Sequence, residues 1–70
     1  MRVKKLLKNY LGNADLQFYR DKKLIEHTQI IEIFRGYPLD ESNYVLLNSK
    51  IKSYRVANVA DSVLFQINIK

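Results

Sequence analysis

Val3-Lys4-Lys5-Leu6-Leu7-Lys8-Asn9-Tyr10-Leu11 opens the chain and decides how the remainder is read. Its apolar residues at 3, 6, 7, 10 and 11 follow the i, i+3, i+4, i+7, i+8 template of an amphipathic helix, with Lys4, Lys5 and Lys8 on the other side. The spacing predicts a helix over residues 3–11, ended by Gly12, where a left-handed C-terminal position favours glycine. The residues beyond Gly12 read mainly as β-strand. The helix is therefore the expected cover for a sheet that cannot bury its own face.

The strongest strand signal lies at the far end. Val63, Phe65, Ile67 and Ile69 alternate with Leu64, Gln66, Asn68 and Lys70, which puts one face in the core and the other in water. Residues 16–20 alternate likewise, with Leu16 and Phe18 opposite Gln17 and Tyr19, and the polar Asp21, Lys22 and Lys23 make a hairpin connection to a second strand over 24–34. That second strand is apolar on both parities. Either a bulge near Thr28 and Gln29 switches faces, or both faces are partly covered. Gly36, Tyr37 and Pro38 end it, since proline cannot donate to a ladder. Asp40 is placed as an N-cap, with Leu39 and Tyr44 spaced as a hydrophobic staple, so residues 41–47 form a short helix or an irregular loop. A third strand over 50–57 carries Tyr54 and Val56 on its inward parity, and a turn over 58–62 leads into the fourth. The expected fold is α+β: an N-terminal amphipathic helix packed on one face of a four-stranded antiparallel sheet, in one small domain covering residues 1–70, with Leu6, Leu7, Tyr10, Phe18, Phe65 and Ile67 in the core.

Size and composition bound the rest. A chain of 70 residues buries only roughly 60% of its unfolded surface, so stability is modest or shared with a partner. With 47% hydrophobic and 27% charged residues, the composition is that of a folded domain rather than a disordered tail. The absence of cysteine removes disulfide and thiolate chemistry and favours a reducing, cytoplasmic setting. No apolar run approaches the length of a membrane span or a signal-peptide core, so no membrane partner is expected and Met1 reads as the start of the mature chain.

The opening helix of residues 3–11, Asp15 before the strand Leu16-Gln17-Phe18-Tyr19-Arg20, the polar turn leading to Leu24 and Ile25, and the closing pair Ser53-Tyr54-Arg55-Val56 and Val63 to Ile69 share their layout with a group of known proteins. In that layout the chain resembles small accessory proteins of phages and prophages of Gram-positive bacteria. The resemblance implies a phage or prophage setting more than an activity, since proteins of that kind are mostly of unassigned function and some inhibit a host enzyme or defence system, and it carries over no functional residues.

The residues themselves point away from catalysis. Acyl transfer needs a base beside a nucleophile, and the single histidine, His27, sits between Glu26 and Thr28 on a strand where neighbours face opposite ways. With no Cys and one His, no metal site is expected, and no glycine-rich loop is present to cradle phosphate. No cofactor is expected. The leading expectation is a non-enzymatic module that docks a protein partner or a second copy of itself through the sheet, with Tyr19, Ile25, Ile31 and Ile33 as contact residues, because the apolar surplus of residues 24–34 exceeds what one short helix covers. The alternative is a nucleic-acid-binding protein, for which a net charge of +5 leaves room. Its polyanion contacts would be Lys4, Lys5, Lys8, Lys22, Lys23, Lys50, Lys52 and Arg55. In the first reading the helix lysines are a solvated face.

Overall fold

The two cleanly alternating segments become the two central strands. In the structure, a computed structural model that describes residues 1–35, 37 and 39–70, the chain runs α1 (Val3–Lys8), β1 (Asp15–Arg20), β2 (Lys23–Gln29), α2 (Ile30–Arg35), α3 (Glu41–Asn48), β3 (Ile51–Val59) and β4 (Ser62–Ile69). The sheet order is β2-β1-β4-β3. Two antiparallel hairpins, β1–β2 and β3–β4, meet through a parallel pairing of β1 with β4. The sheet is thus mixed rather than antiparallel throughout. The reason is burial: Leu16 and Phe18 of β1 and Phe65, Ile67 and Ile69 of β4 are the densest apolar rows, and side by side in the middle all five are buried under the helices.

The helices line one face of the sheet. Val3 and Leu7 of α1, Ile30 and Ile33 of α2, and Leu46 and Leu47 of α3 join the central strands in one core, with Leu6, Tyr10, Phe34, Tyr37, Ile51 and Val63 packed around it. Helix α1 is shorter than residues 3–11. Asn9 donates from Nδ2 to the Lys5 carbonyl at 3.3 Å, taking the acceptor that a continuing helix would use, and Tyr10 turns out to meet Phe65 edge-on at 5.2 Å. Leu11 is consequently 94% exposed instead of facing the core. Gly12 does adopt a left-handed φ of 107°, but in the loop beyond the helix end.

Residues 24–34 are not one strand. β2 stops at Gln29 and the chain enters α2, whose Ile30, Ile33 and Phe34 follow the i, i+3, i+4 spacing. The apolar surplus on both strand parities is therefore a change of period from two to 3.6. Contacts distant in sequence pin the change: the Ile30 N–H donates to the Ala14 carbonyl at 3.0 Å, the Ile31 N–H to Asn13 Oδ1 at 3.1 Å, and Gln29 Nε2 to Asp15 Oδ1 at 3.2 Å. A bulge exists, but not near Thr28 and Gln29. Phe18 pairs with Glu26 and Tyr19 with Leu24, which leaves Ile25 as the extra residue.

Helix α3 forms at the segment read as helix or loop. Asp40 caps it by accepting from the Asn43 N–H at 3.1 Å. The Leu39–Tyr44 staple is not made: Leu39 is 95% exposed, and Tyr44 stacks on Tyr37 at 5.9 Å. Gly36 and Pro38, read as strand terminators, lie outside the described residues. Strand β3 runs two residues beyond the expected end at Ala57, closing on a two-residue turn at Ala60 and Asp61. Tyr54 and Val56 pair with Ile67 and Phe65, so they do lie on the helix side, yet they are 45% and 48% exposed because the helices stop short of this edge strand.

Candidate polyanion-binding surface

The parallel pairing of β1 with β4 decides where the charges go. Both strands end at the same end of the sheet, where β2 and β3 begin. That end gathers residues far apart in sequence: Arg20, Lys22, Lys52 and Lys70 line one cleft, with Asp21 the only acid among its lining residues. Lys23 pairs with Arg20 across the hairpin, and Lys50 lies next to Lys70, whose N–H donates to the Lys50 carbonyl at 3.0 Å. Asp21 and Lys22 hold the turn with φ of 53° and 67°, the left-handed pair that matches the twist of a two-residue hairpin. Glycine and asparagine usually fill such positions. Here the tip keeps an acid and a lysine.

The chain start ties helix α1 to this end. Arg2 bridges Lys50, with the Val3 N–H donating to the Ser49 carbonyl at 3.0 Å and the Ile51 N–H to the Met1 carbonyl at 2.9 Å. The Arg2 guanidinium also donates to the Asn48 carbonyl. Arg2, Lys4, Lys5, Lys8 and Asn48 then line a second shallow groove along α1. Ten of the twelve Lys and Arg residues, Arg2, Lys4, Lys5, Lys8, Arg20, Lys22, Lys23, Lys50, Lys52 and Lys70, lie at this end or along α1. The other two are engaged elsewhere: Arg35 pairs with Glu32 at 3.4 Å, the only salt bridge among the described residues, and Arg55 donates from Nε to Gln66 Oε1 at 3.1 Å on the open sheet face. At the opposite end, Asp15 and Asp61 line a polar hollow with Gln29 and Ser62.

Lys4 differs from its neighbours. Its Nζ donates to the Tyr37 hydroxyl at 3.0 Å and lies 5.0 Å from the centre of that ring, and the bond holds the Tyr37 pKa below its ordinary value. Lys4 is therefore part of the packing between α1 and the turn before α3, not a purely solvated residue.

The residues expected to meet a protein partner do not converge. Tyr19 is half-buried on the open sheet face, its hydroxyl donating to Gln17 Oε1 at 2.8 Å, and Ile25 is exposed at the bulge beside it. Ile31 is exposed, but on helix α2, and Ile33 is fully buried under the helices. Ile33 is thus a core residue and no contact residue. Of the polyanion set, Arg55 stands apart on the open face, while Lys4, Lys5, Lys8, Lys22, Lys23, Lys50 and Lys52 fall on the band together with Arg2, Arg20 and Lys70, which were not in that set. Arg2 and Arg20 stand in the local basic clusters with Lys4, Lys5 and Lys8 and with Lys22 and Lys23, whereas only the topology signals Lys70.

His27 is exposed on β2, where its backbone N–H donates to Glu26 Oε1 at 3.1 Å. Among the described residues no cluster of His, Asp or Glu is arranged to hold a metal, and no helix is long and apolar enough to cross a membrane. Compared with known proteins, the chain matches no family model, no curated protein and no solved structure. Its function is read from its own geometry.

Proposed function

We propose that the chain is a non-enzymatic module that binds the phosphate backbone of a nucleic acid through the basic band. The observation that carries this reading is the gathering of ten cations, with no carboxylate paired to any of them among the described residues, on one end of the sheet and helix α1. Folding that leaves so many like charges side by side is destabilising unless an anion neutralises them. Phosphate contacts of this kind give affinity and orientation rather than sequence choice. The protein-docking reading has less support, because its apolar motive goes largely into the core with Ile30 and Ile33.

The test separates a site from mere net charge. Lys22→Gln/Lys52→Gln and Arg35→Gln/Arg55→Gln remove the same formal charge, the first pair on the band and the second off it. At low salt, binding of a fluorescent duplex or single strand should weaken by about tenfold or more in the first variant, at roughly 1 kcal/mol for each lost contact. The second variant should change little. Equal losses would mean that only total charge matters and would overturn the assignment.

A further inference from the structure

The two edges of the sheet are defended differently, and the difference goes beyond the polyanion reading. β2 carries Lys23, Glu26 and His27 along its length and is interrupted by the bulge at Ile25, the devices that keep an edge from pairing with another chain. On β3, Met1 caps the edge at Ile51, and beyond it the strand continues to Val59 with no neighbour on that side among the described residues. In a hairpin closed by Val59 and Ser62, ladder bonds to β4 alternate, so every second residue of β3 directs its N–H and C=O to the open side. Over residues 53–59 the only charge is Arg55, which lies on the open face and is bonded inward to Gln66. On the helix side, the half-exposed Tyr54 and Val56 stand next to that open backbone.

We infer that a second copy of this chain pairs with β3, antiparallel and about a twofold axis near Val56 and Ala57, so that one sheet runs through both copies. Charge layout selects this occupant and this direction. β3 starts at the basic end beside Lys50 and Lys52 and finishes at the turn that holds Asp61. An antiparallel copy lays its Asp61 end along the Lys52 end of its partner, and symmetry repeats the match. With the axis through Val56, Arg55 faces Ala57; with the axis through Ala57, it faces Val59. No like charges oppose each other in either register, whereas a parallel copy would set lysine beside lysine. The contact also covers Tyr54 and Val56, which the helices of their own chain do not reach.

Sedimentation of the full chain from about 1 to about 500 micromolar tests this. The wild type should show a concentration-dependent monomer–dimer equilibrium. Val56→Lys puts a charge on the unguarded edge and should raise the dimer dissociation constant by about 100-fold or more, while Ile25→Lys on the guarded edge should leave it unchanged. A wild type that stays monomeric throughout would leave this edge to a different protein or to solvent and overturn the inference, as would a Val56→Lys chain that still dimerises. Should Val56→Lys fail to fold, Tyr54→Lys takes its place, and amide exchange of the wild type gives an independent reading. Protection in β3 should then rise with protein concentration, and exchange that ignores concentration would contradict self-pairing.

Discussion

The helix-covered core and the basic end are built on the same four strands and owe their existence to different things. The core draws on local alternation, which turns Leu16 and Phe18, or Phe65, Ile67 and Ile69, to one face, and on the helices that cover that face at the two central strands. The basic end comes from topology. Arg20, Lys22, Lys52 and Lys70 share a cleft only because β1 and β4 run parallel. A protein arranged this way should divide its sensitivities, with stability residing in the first region and binding in the second.

The largest expected effect is in the core. Phe65→Ala, which empties the centre of β4 and removes the edge-on partner of Tyr10, should cost about 3 to 5 kcal/mol in a denaturant titration. In so small a domain that is a large share of the total. Its ladder partner Val56, on the same face but under no helix, should cost less than about 1 kcal/mol on truncation to Ala in the monomer. Equal costs for the two would break the claim that helix cover, and not alternation, decides burial here.

Caps come next. Asp40→Ala removes the side chain that accepts from the Asn43 N–H, and Asn13→Ala removes the acceptor for the Ile31 N–H; each should cost about 1 kcal/mol. The two differ in what they reveal. The first cap was readable from its own neighbourhood, whereas the second fastens α2 to a segment before β1. That distance explains why residues 24–34 read as a single strand: the pattern contained both periods, and the contacts that choose between them come from Asn13 and Ala14. Strand order was illegible for a similar reason, since alternation says which face a residue takes but not which strand lies beside it. The charge clusters could be seen in the sequence as separate groups. Their union at one end required the parallel pairing, which brings Arg20 and Lys22 beside Lys52 and Lys70, and the bridge that ties Arg2 to Lys50.

Lys4 belongs to both regions and sharpens the boundary between them. Its hydrogen bond lowers the Tyr37 pKa, so the phenolate is favoured by the fold. The linked stability is present above the unfolded tyrosine pKa of about 10 and is lost as pH falls through the lowered folded value, leaving no contribution near neutrality. Absorbance titration should show Tyr37 ionising below the ordinary tyrosine range, and Lys4→Gln should return it toward that range. Lys5→Gln, one residue away and exposed, should not move it.

The smallest effect on stability is expected where the effect on binding is greatest. Replacing Lys22, Lys52 and Lys70 by Gln should raise the unfolding free energy slightly, by no more than about 0.5 kcal/mol for each site, since none is paired to an acid among the described residues and each adds to the repulsion at this end. The same variant bears on the central claim through the salt dependence of nucleic-acid binding. For the wild type, the logarithm of duplex affinity against the logarithm of salt concentration should fall with a slope of about −3 or steeper, at roughly 0.9 per phosphate contact. In Lys22→Gln/Lys52→Gln/Lys70→Gln that slope should flatten by about 2 to 3. A wild-type slope near zero, or a variant that folds normally and keeps the full slope, would contradict a phosphate-binding role for the basic end.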